Sequence, residues 1–203
     1  QSGSATGTPL AGVYRSGIRL ARIEYSGMEA EKIAGIYGAD ATLYLRAQAT
    51  EERVKGAPLS QYRYVHFAAH GIVDPERPGF SAIVLGSEDK EDGFLQLPEI
   101  FNLDLDAELV VLSACQSGVG PRVRGEGLIG LARGFMYAGA RSVLASLWQI
   151  EDSPATANFM YQFYRTLENK NKAASLRKTQ LAFINSEKHS HPFYWAAFVL
   201  IGR

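Results

Sequence analysis

Two rhythms of apolar residues run along the chain. VHFAA at 65–69, LVVL at 109–112 and SVLASLW at 142–148 are apolar at nearly every position. Their length and β-branched content predict strands buried on both faces. Other segments space their apolar residues three and four apart, which predicts helices. MEAEKIAGIYG carries Met28, Ile33, Ile36 and Tyr37 in helical register, with Gly38 as its stop. The stretch 125–140 is apolar on almost every side, so it predicts a buried helix ending at Gly139. Ser153-Pro154 is a cap and first helical residue for a helix whose core stripe is Phe159, Met160, Phe163, Tyr164 and Leu167. A last helix over 172–185 is expected to turn Leu176, Leu181 and Ile184 inward and to leave Lys172, Arg177 and Lys178 solvated.

The remaining segments fill in the order. IRLARIEY at 18–25 and ATLYL at 41–45 read as strands, and 49–56 as a short polar helix. Residues 72–97 hold two prolines and a charged loop, which predicts a β-hairpin insertion rather than another βα unit. FLQLPEIFN at 94–102 reads as a strand arm followed by a helical turn near Pro98. HPFYWAAFVLIG at 191–202 reads as a closing strand opened by Pro192. Strands alternating with helices favour a mainly parallel α/β sheet covered on both faces.

Composition narrows the function classes. The 203 residues make one domain, with the polar, glycine-rich residues 1–9 read as linker and 10–203 as the folded unit. Basic and acidic residues balance at 21 each, so nothing points to nucleic acid or to an anionic membrane surface. No apolar run approaches the ~20 residues of a membrane span. One cysteine excludes an intrachain disulfide and is read as a sign of a reducing, cytoplasmic setting. Four histidines with scattered carboxylates show no zinc spacing, and neither metal nor cofactor is expected.

That single cysteine gives the candidate chemistry. LVVLSACQSGVG delivers Cys115 from an apolar run through small residues into turn chemistry, and YRYVHFAAHG delivers His70 in the same way. Adjacent parallel strands release their ends at one sheet edge, where α/β folds keep their sites. A thiol and an imidazole brought there form a nucleophile and base, and the backbone N–H groups of Gly71 and Cys115 could hold an oxyanion. Either residue alone is more commonly structural, the cysteine as a small buried hydrophobe. It is the shared pattern that favours the pair. The glycines after Cys115 form no complete phosphate loop, since GxGxxG is broken and no lysine follows GxxxxG.

The segments RYVHFAAHG, LVVLSACQSG, GEGLIGLARGFMYAGARSVLASLWQIED and HPFYWAAFVLIG, in this order, resemble the CHAT domain. That family consists of caspase-like cysteine peptidases related to separase and often joined to tetratricopeptide repeats. The resemblance implies a caspase-hemoglobinase fold, three-layered α/β/α, with a six-stranded mostly parallel sheet whose last strand is antiparallel. It implies His70 as general base or acid and Cys115 as nucleophile. It also implies that Asp152, four positions after Trp148, lines a pocket for a substrate arginine or lysine, with Glu151 the next candidate. Ala69 stands where threonine is frequent in the family, and Gln116-Ser117 where Glu-Thr is frequent; neither change touches a catalytic atom.

The expected function is therefore a cysteine endopeptidase cleaving after arginine or lysine in a protein or peptide substrate, regulated by an upstream or partner repeat region. Two other readings stay open: a catalytically silent interaction module with the same fold, and, less favoured, a flavodoxin-like nucleotide binder. A second reading of Asp152 also stands, because acids next to a helix start are favoured for electrostatic reasons alone.

Overall fold

The computed structural model describes residues 20, 22–74, 77–88, 90–113, 115–118, 126–148, 150–167 and 171–203, with the backbone alone described at 115–118 and 126–128. Its centre is a four-stranded sheet of β1 (Tyr64–Phe67), β5 (Leu109–Leu112), β7 (Ser142–Ser146) and β8 (Phe198–Gly202), in the order β1-β5-β7-β8. The first three strands are parallel and β8 runs antiparallel to β7.

Alternation along these strands divides the core. Val110, Leu112, Val143 and Ala145 pack with Ile100, Leu131 and Phe135. Leu109, Val111 and Leu144 face the other way, onto Ile33, Phe159, Phe163 and Phe183. Successive side chains leave a strand on opposite faces, so four fully buried residues in a row require cover on both. Helices α3 (Leu97–Ile100) and α4 (Glu126–Tyr137) supply it on one side. On the other lie α1 (Ser26–Tyr37), α5 (Pro154–Thr166) and α6 (Lys172–Ile184). Helix α2 (Glu51–Gly56) starts at Thr50, whose side chain accepts from the Arg53 N–H.

A second four-stranded sheet, in the order β4-β3-β2-β6, extends from the first. It contains β2 (His70–Val73), β3 (Ala82–Val84), β4 (Phe94–Gln96) and β6 (Cys115–Gly118). Strand β3 pairs antiparallel with both β2 and β4, which is the expected hairpin insertion. The expected six-stranded sheet is thus two four-stranded sheets. The reason is local: β1 does not end its path at Phe67 but breaks at Ala68 and Ala69 and resumes as β2, and β5 resumes likewise as β6.

Several sequence expectations are corrected. Residues 22–25 and 41–45 are not strands. Leu43 and Tyr44 are exposed, so that apolar run reaches neither core cluster. At the carboxyl end only Phe198–Gly202 is extended, while Pro192–Tyr194 makes a 3₁₀ turn that Pro192 opens. In α6, Leu181 and Ile184 are exposed, and Ser175, Leu176, Thr179 and Phe183 are buried instead. The two hydroxyls go inside without penalty because Ser175 donates to the Thr166 carbonyl and Thr179 to that of Ser175. Lys172 is largely covered rather than solvated and donates to the Glu108 carbonyl at 3.0 Å. Gly139 does stop α4, at φ 114°, where a Cβ would lie 1.9 Å from the Leu105 carbonyl oxygen. No helix among the described residues is long and apolar enough to cross a membrane.

Candidate functional site

Parallel strands end on the same side of a sheet. Phe67, Leu112 and Ala145 are neighbours in register near the ends of β1, β5 and β7. The chain beyond each therefore meets at one carboxyl edge. His70 follows the first, Cys115 the second, and Trp148, Glu151 and Asp152 the third.

His70 and Cys115 are direct register partners in the parallel pair β2–β6. The offset that pairs Phe67 with Leu112 also pairs His70 with Cys115, so the register passes unchanged across the break. A hydrogen bond from the Ser113 N–H to the Phe67 carbonyl at 3.0 Å carries it across. Both residues open short strands, whereas the sequence pattern had each closing one. His70 is half-buried. Gly71 is buried within β2, level with Ile83 on one side and Gln116 on the other, instead of in a turn.

Ala68, Ala69 and His70 line a cleft of about 1580 Å³ that runs along β1. Arg22, Ile23 and Glu24 line it too, as do Leu43 and Tyr44. A smaller cavity of about 510 Å³ beside Lys55, Glu99 and Asp104 contains none of the expected site residues.

Trp148 is half-buried against the core cluster of Phe159 and Phe198, and Glu151 is exposed. Asp152 is half-buried and engaged with the other end of the chain. Its Oδ2 accepts from the Glu24 N–H at 2.5 Å, and its Oδ1 and Oδ2 lie 3.1 and 3.3 Å from the Tyr25 N–H. Tyr25 is the residue that caps α1. Asp152 therefore sits at a helix start, as its sequence context suggested, but that of α1; α5 is capped by Ser153, whose hydroxyl oxygen accepts from the Thr156 N–H.

Two polar clusters escaped the sequence reading. In the first, His66 of β1 places Nε2 2.8 Å from Glu29 Oε1 and Nδ1 3.2 Å from the Tyr164 hydroxyl. Burial, reinforced by Tyr37 and Glu29, pushes the Tyr164 phenol well above its usual range. The phenol stays protonated, and each ring nitrogen of His66 has a polar partner, Nδ1 the Tyr164 hydroxyl and Nε2 the Glu29 carboxylate. A signal existed: Glu29 lies one helical turn before buried Ile33, on the face that α1 turns inward.

The second cluster surrounds Lys55, whose ammonium lies 2.8 Å from Glu51 and 2.6 Å from both Glu91 and Glu99. Burial alone would lower the lysine, but the three carboxylates outweigh it and hold Lys55 above its ordinary value. Glu51 is fully buried; its Oε2 accepts from the Gly93 N–H at 2.8 Å and its Oε1 takes the ammonium as an ion pair. Three carboxylate oxygens this close have the spacing of a metal site, but the lysine already occupies the cation's place.

Residues 7–203 match the family model for the CHAT domain. The chain belongs to the CHAT family. Among curated proteins, tetratricopeptide repeat protein 28 of Mus musculus is 34% identical over 190 residues, covering 77% of this chain and 8% of the mouse protein. The Homo sapiens protein of the same name is 32% identical over 188 residues, covering 76% of this chain and 8% of the human one. This CHAT domain therefore corresponds to a small part of relatives named for their repeats.

Proposed function

We propose that this CHAT domain is a cysteine endopeptidase, with Cys115 as nucleophile and His70 as general base, that cleaves peptide bonds after arginine or lysine. The observation that carries this reading is the register pairing of His70 with Cys115 at the carboxyl edge of the parallel strands. Register partners on neighbouring strands share a face and stand close enough for their side chains to interact.

The chemistry follows from that pairing. His70 takes the thiol proton, and the thiolate sulfur bonds to the substrate carbonyl carbon. The carbonyl electrons move onto its oxygen, for which the backbone N–H of Cys115, on the edge strand β6, is the donor. Collapse re-forms the carbonyl and breaks the C–N bond, while His70 returns its proton to the leaving amine. Water, deprotonated by His70, then attacks the acyl carbon and releases the acid and the thiol. Asp152, with Trp148 and Glu151 beside it, supplies the carboxylate that selects a basic side chain. The substrate is a protein or peptide; no metal or cofactor enters any step. The relatives named for tetratricopeptide repeats support a regulatory repeat region in the parent chain or a partner. A cytoplasmic setting belongs to the same reading.

The deciding experiment compares the unaltered chain with Cys115→Ala on peptides carrying a single arginine or lysine. Equal cleavage by both proteins removes the assignment.

One observation favours a second reading, a caspase-like fold used only for binding. Asp152 is already satisfied by the chain's own backbone amides. An arginine-directed thiol-reactive peptide distinguishes the two: labelling at Cys115 supports the enzyme, and no labelling with or without a repeat partner supports the binding module.

A further inference from the structure

Asp152 is held by the main chain. Its partners are main-chain donors on successive residues, Glu24 and Tyr25, converging on one carboxylate. Two adjacent N–H groups aimed at a carboxylate reproduce the fork that a guanidinium presents to it. These N–H groups lie across both oxygens, the edge at which a guanidinium forms its bidentate pair, so a guanidinium that pairs with Asp152 in that way takes their place.

The segment that supplies these donors lies outside the helix and is joined to it at one end. Residues 22–25 are not helical, and the strap meets α1 through the hydrogen bond from the Glu29 N–H to the Tyr25 carbonyl. The Ser26 hydroxyl donates to the Ile23 carbonyl, which folds the strap back over the helix start. From Glu29 onward α1 is held by other contacts, Glu29 to His66 at 2.8 Å and Ile33 within the core. Arg22, Ile23 and Glu24 also line the cleft that reaches His70. Release of the strap thus opens the Asp152 carboxylate and one wall of the same cleft while leaving the helix anchored.

We propose that Arg22–Tyr25 is an intramolecular occupant of the Asp152 site, holding with backbone N–H groups the position that a substrate guanidinium takes. This rests on the reading of Asp152 as the specificity carboxylate. Strap and basic substrate compete for one carboxylate, and whatever pulls on the chain before residue 22 changes access to it. The chain is thereby regulated from its amino-terminal side.

The test uses the full chain and agmatine, a small guanidinium probe, with amide hydrogen exchange read residue by residue. Agmatine binding is expected to weaken about tenfold or more in Asp152→Asn, the loss of one charge-assisted pair. Saturating agmatine is expected to speed exchange at the Glu24 and Tyr25 amides and to leave Ile33 protected. Tyr25→Pro, which removes one donor, is expected to bind agmatine several-fold more tightly; should it fold poorly, the exchange measurement on the unaltered chain decides. Asp152-dependent binding with both amides unchanged overturns the strap and leaves the specificity reading standing. Absence of any Asp152-dependent binding overturns the specificity reading, and the strap falls with it.

Discussion

His66 and Glu29 meet at 2.8 Å, joining the edge strand β1 to the helix that carries the strap. Both are largely buried, and Tyr164 closes the other side of the imidazole. Buried polar groups of this kind contribute little while paired and cost heavily when one partner is removed. Glu29→Ala leaves Nε2 without its hydrogen-bond partner in the core. It is expected to lower stability by about 1–3 kcal/mol, read as a fall in the urea midpoint at unchanged slope. Tyr164→Phe leaves Nδ1 without its hydrogen-bond partner and is expected to fall in the same range. An unshifted midpoint in both would show that water reaches the cluster.

Lys55 gives a larger effect with a defined pH dependence. Removing one partner of a buried ion pair costs roughly 3–5 kcal/mol, and the partial exposure of Lys55 reduces this to about 2–4 for Lys55→Met. Its pKa is raised in the fold, so its contribution is complete below the ordinary lysine value of about 10.4 and is lost only as pH climbs through the raised one. Glu99 behaves oppositely. Burial would raise it, but Lys55 and the Gln96 N–H outweigh burial and hold it below its usual value. Its contribution is present above about pH 4.3 and is lost as pH falls further. Burial holds Glu51 above its usual value, so denaturation of the unaltered chain and Lys55→Met from pH 3 to 10 should show a gap that is flat near neutrality and begins to narrow above the ordinary carboxylate range as pH falls. A gap that widens in acid would contradict the assignment.

Gly139 tests the backbone rather than a side chain. At φ 114° and with a Cβ position 1.9 Å from the Leu105 carbonyl oxygen, no other residue fits without moving the chain between α4 and β7. Gly139→Ala is expected to cost about 3 kcal/mol or more, seen as a lower thermal midpoint. Gly27→Ala, on a helical position with nothing near its Cβ, is the control and should not destabilise.

Of these three sites only Gly139 was legible in the sequence, and the difference is one of range. Leu109–Leu112 could be assigned to a doubly covered strand because every residue is apolar, and the two core clusters account for that pattern. Ser153-Pro154 and Gly139 were legible because caps and stops are local chemistry. ATLYL failed because strand character needs a paired neighbour, which a five-residue run cannot reveal. Leu181 and Ile184 failed because Ser175 and Thr179 satisfy their hydroxyls internally and so take the buried face of α6. The register of His70 with Cys115 was within reach, since their separation equals that of Phe67 and Leu112. Asp152 was not. Its partners lie 127 and 128 positions away, and no local pattern connects a carboxylate before α5 with the cap of α1.

For the candidate site, His70→Ala is expected to lower kcat/KM on arginine peptides by about 10²–10⁴-fold, the usual contribution of a positioned acid-base group. The fold should survive, because His70 is half-buried and is itself a member of no core cluster. Circular dichroism and the thermal midpoint provide that check. Cleavage at an undiminished rate would leave Cys115 without this base.

Asp152→Asn separates the two roles of the carboxylate. Asparagine keeps an oxygen that can accept from the Glu24 and Tyr25 N–H groups, and Asn caps a helix about as well as Asp. Stability should therefore change by less than about 1 kcal/mol. Charge is what a basic substrate requires, so the ratio of kcat/KM for arginine over leucine peptides should fall by about tenfold or more. Asp152→Ala removes the acceptor as well and should lower stability by about 1–2 kcal/mol. If asparagine preserves both stability and arginine preference, the carboxylate is only a cap for α1, and selectivity for a basic side chain must be sought at Glu151, the exposed acid beside it.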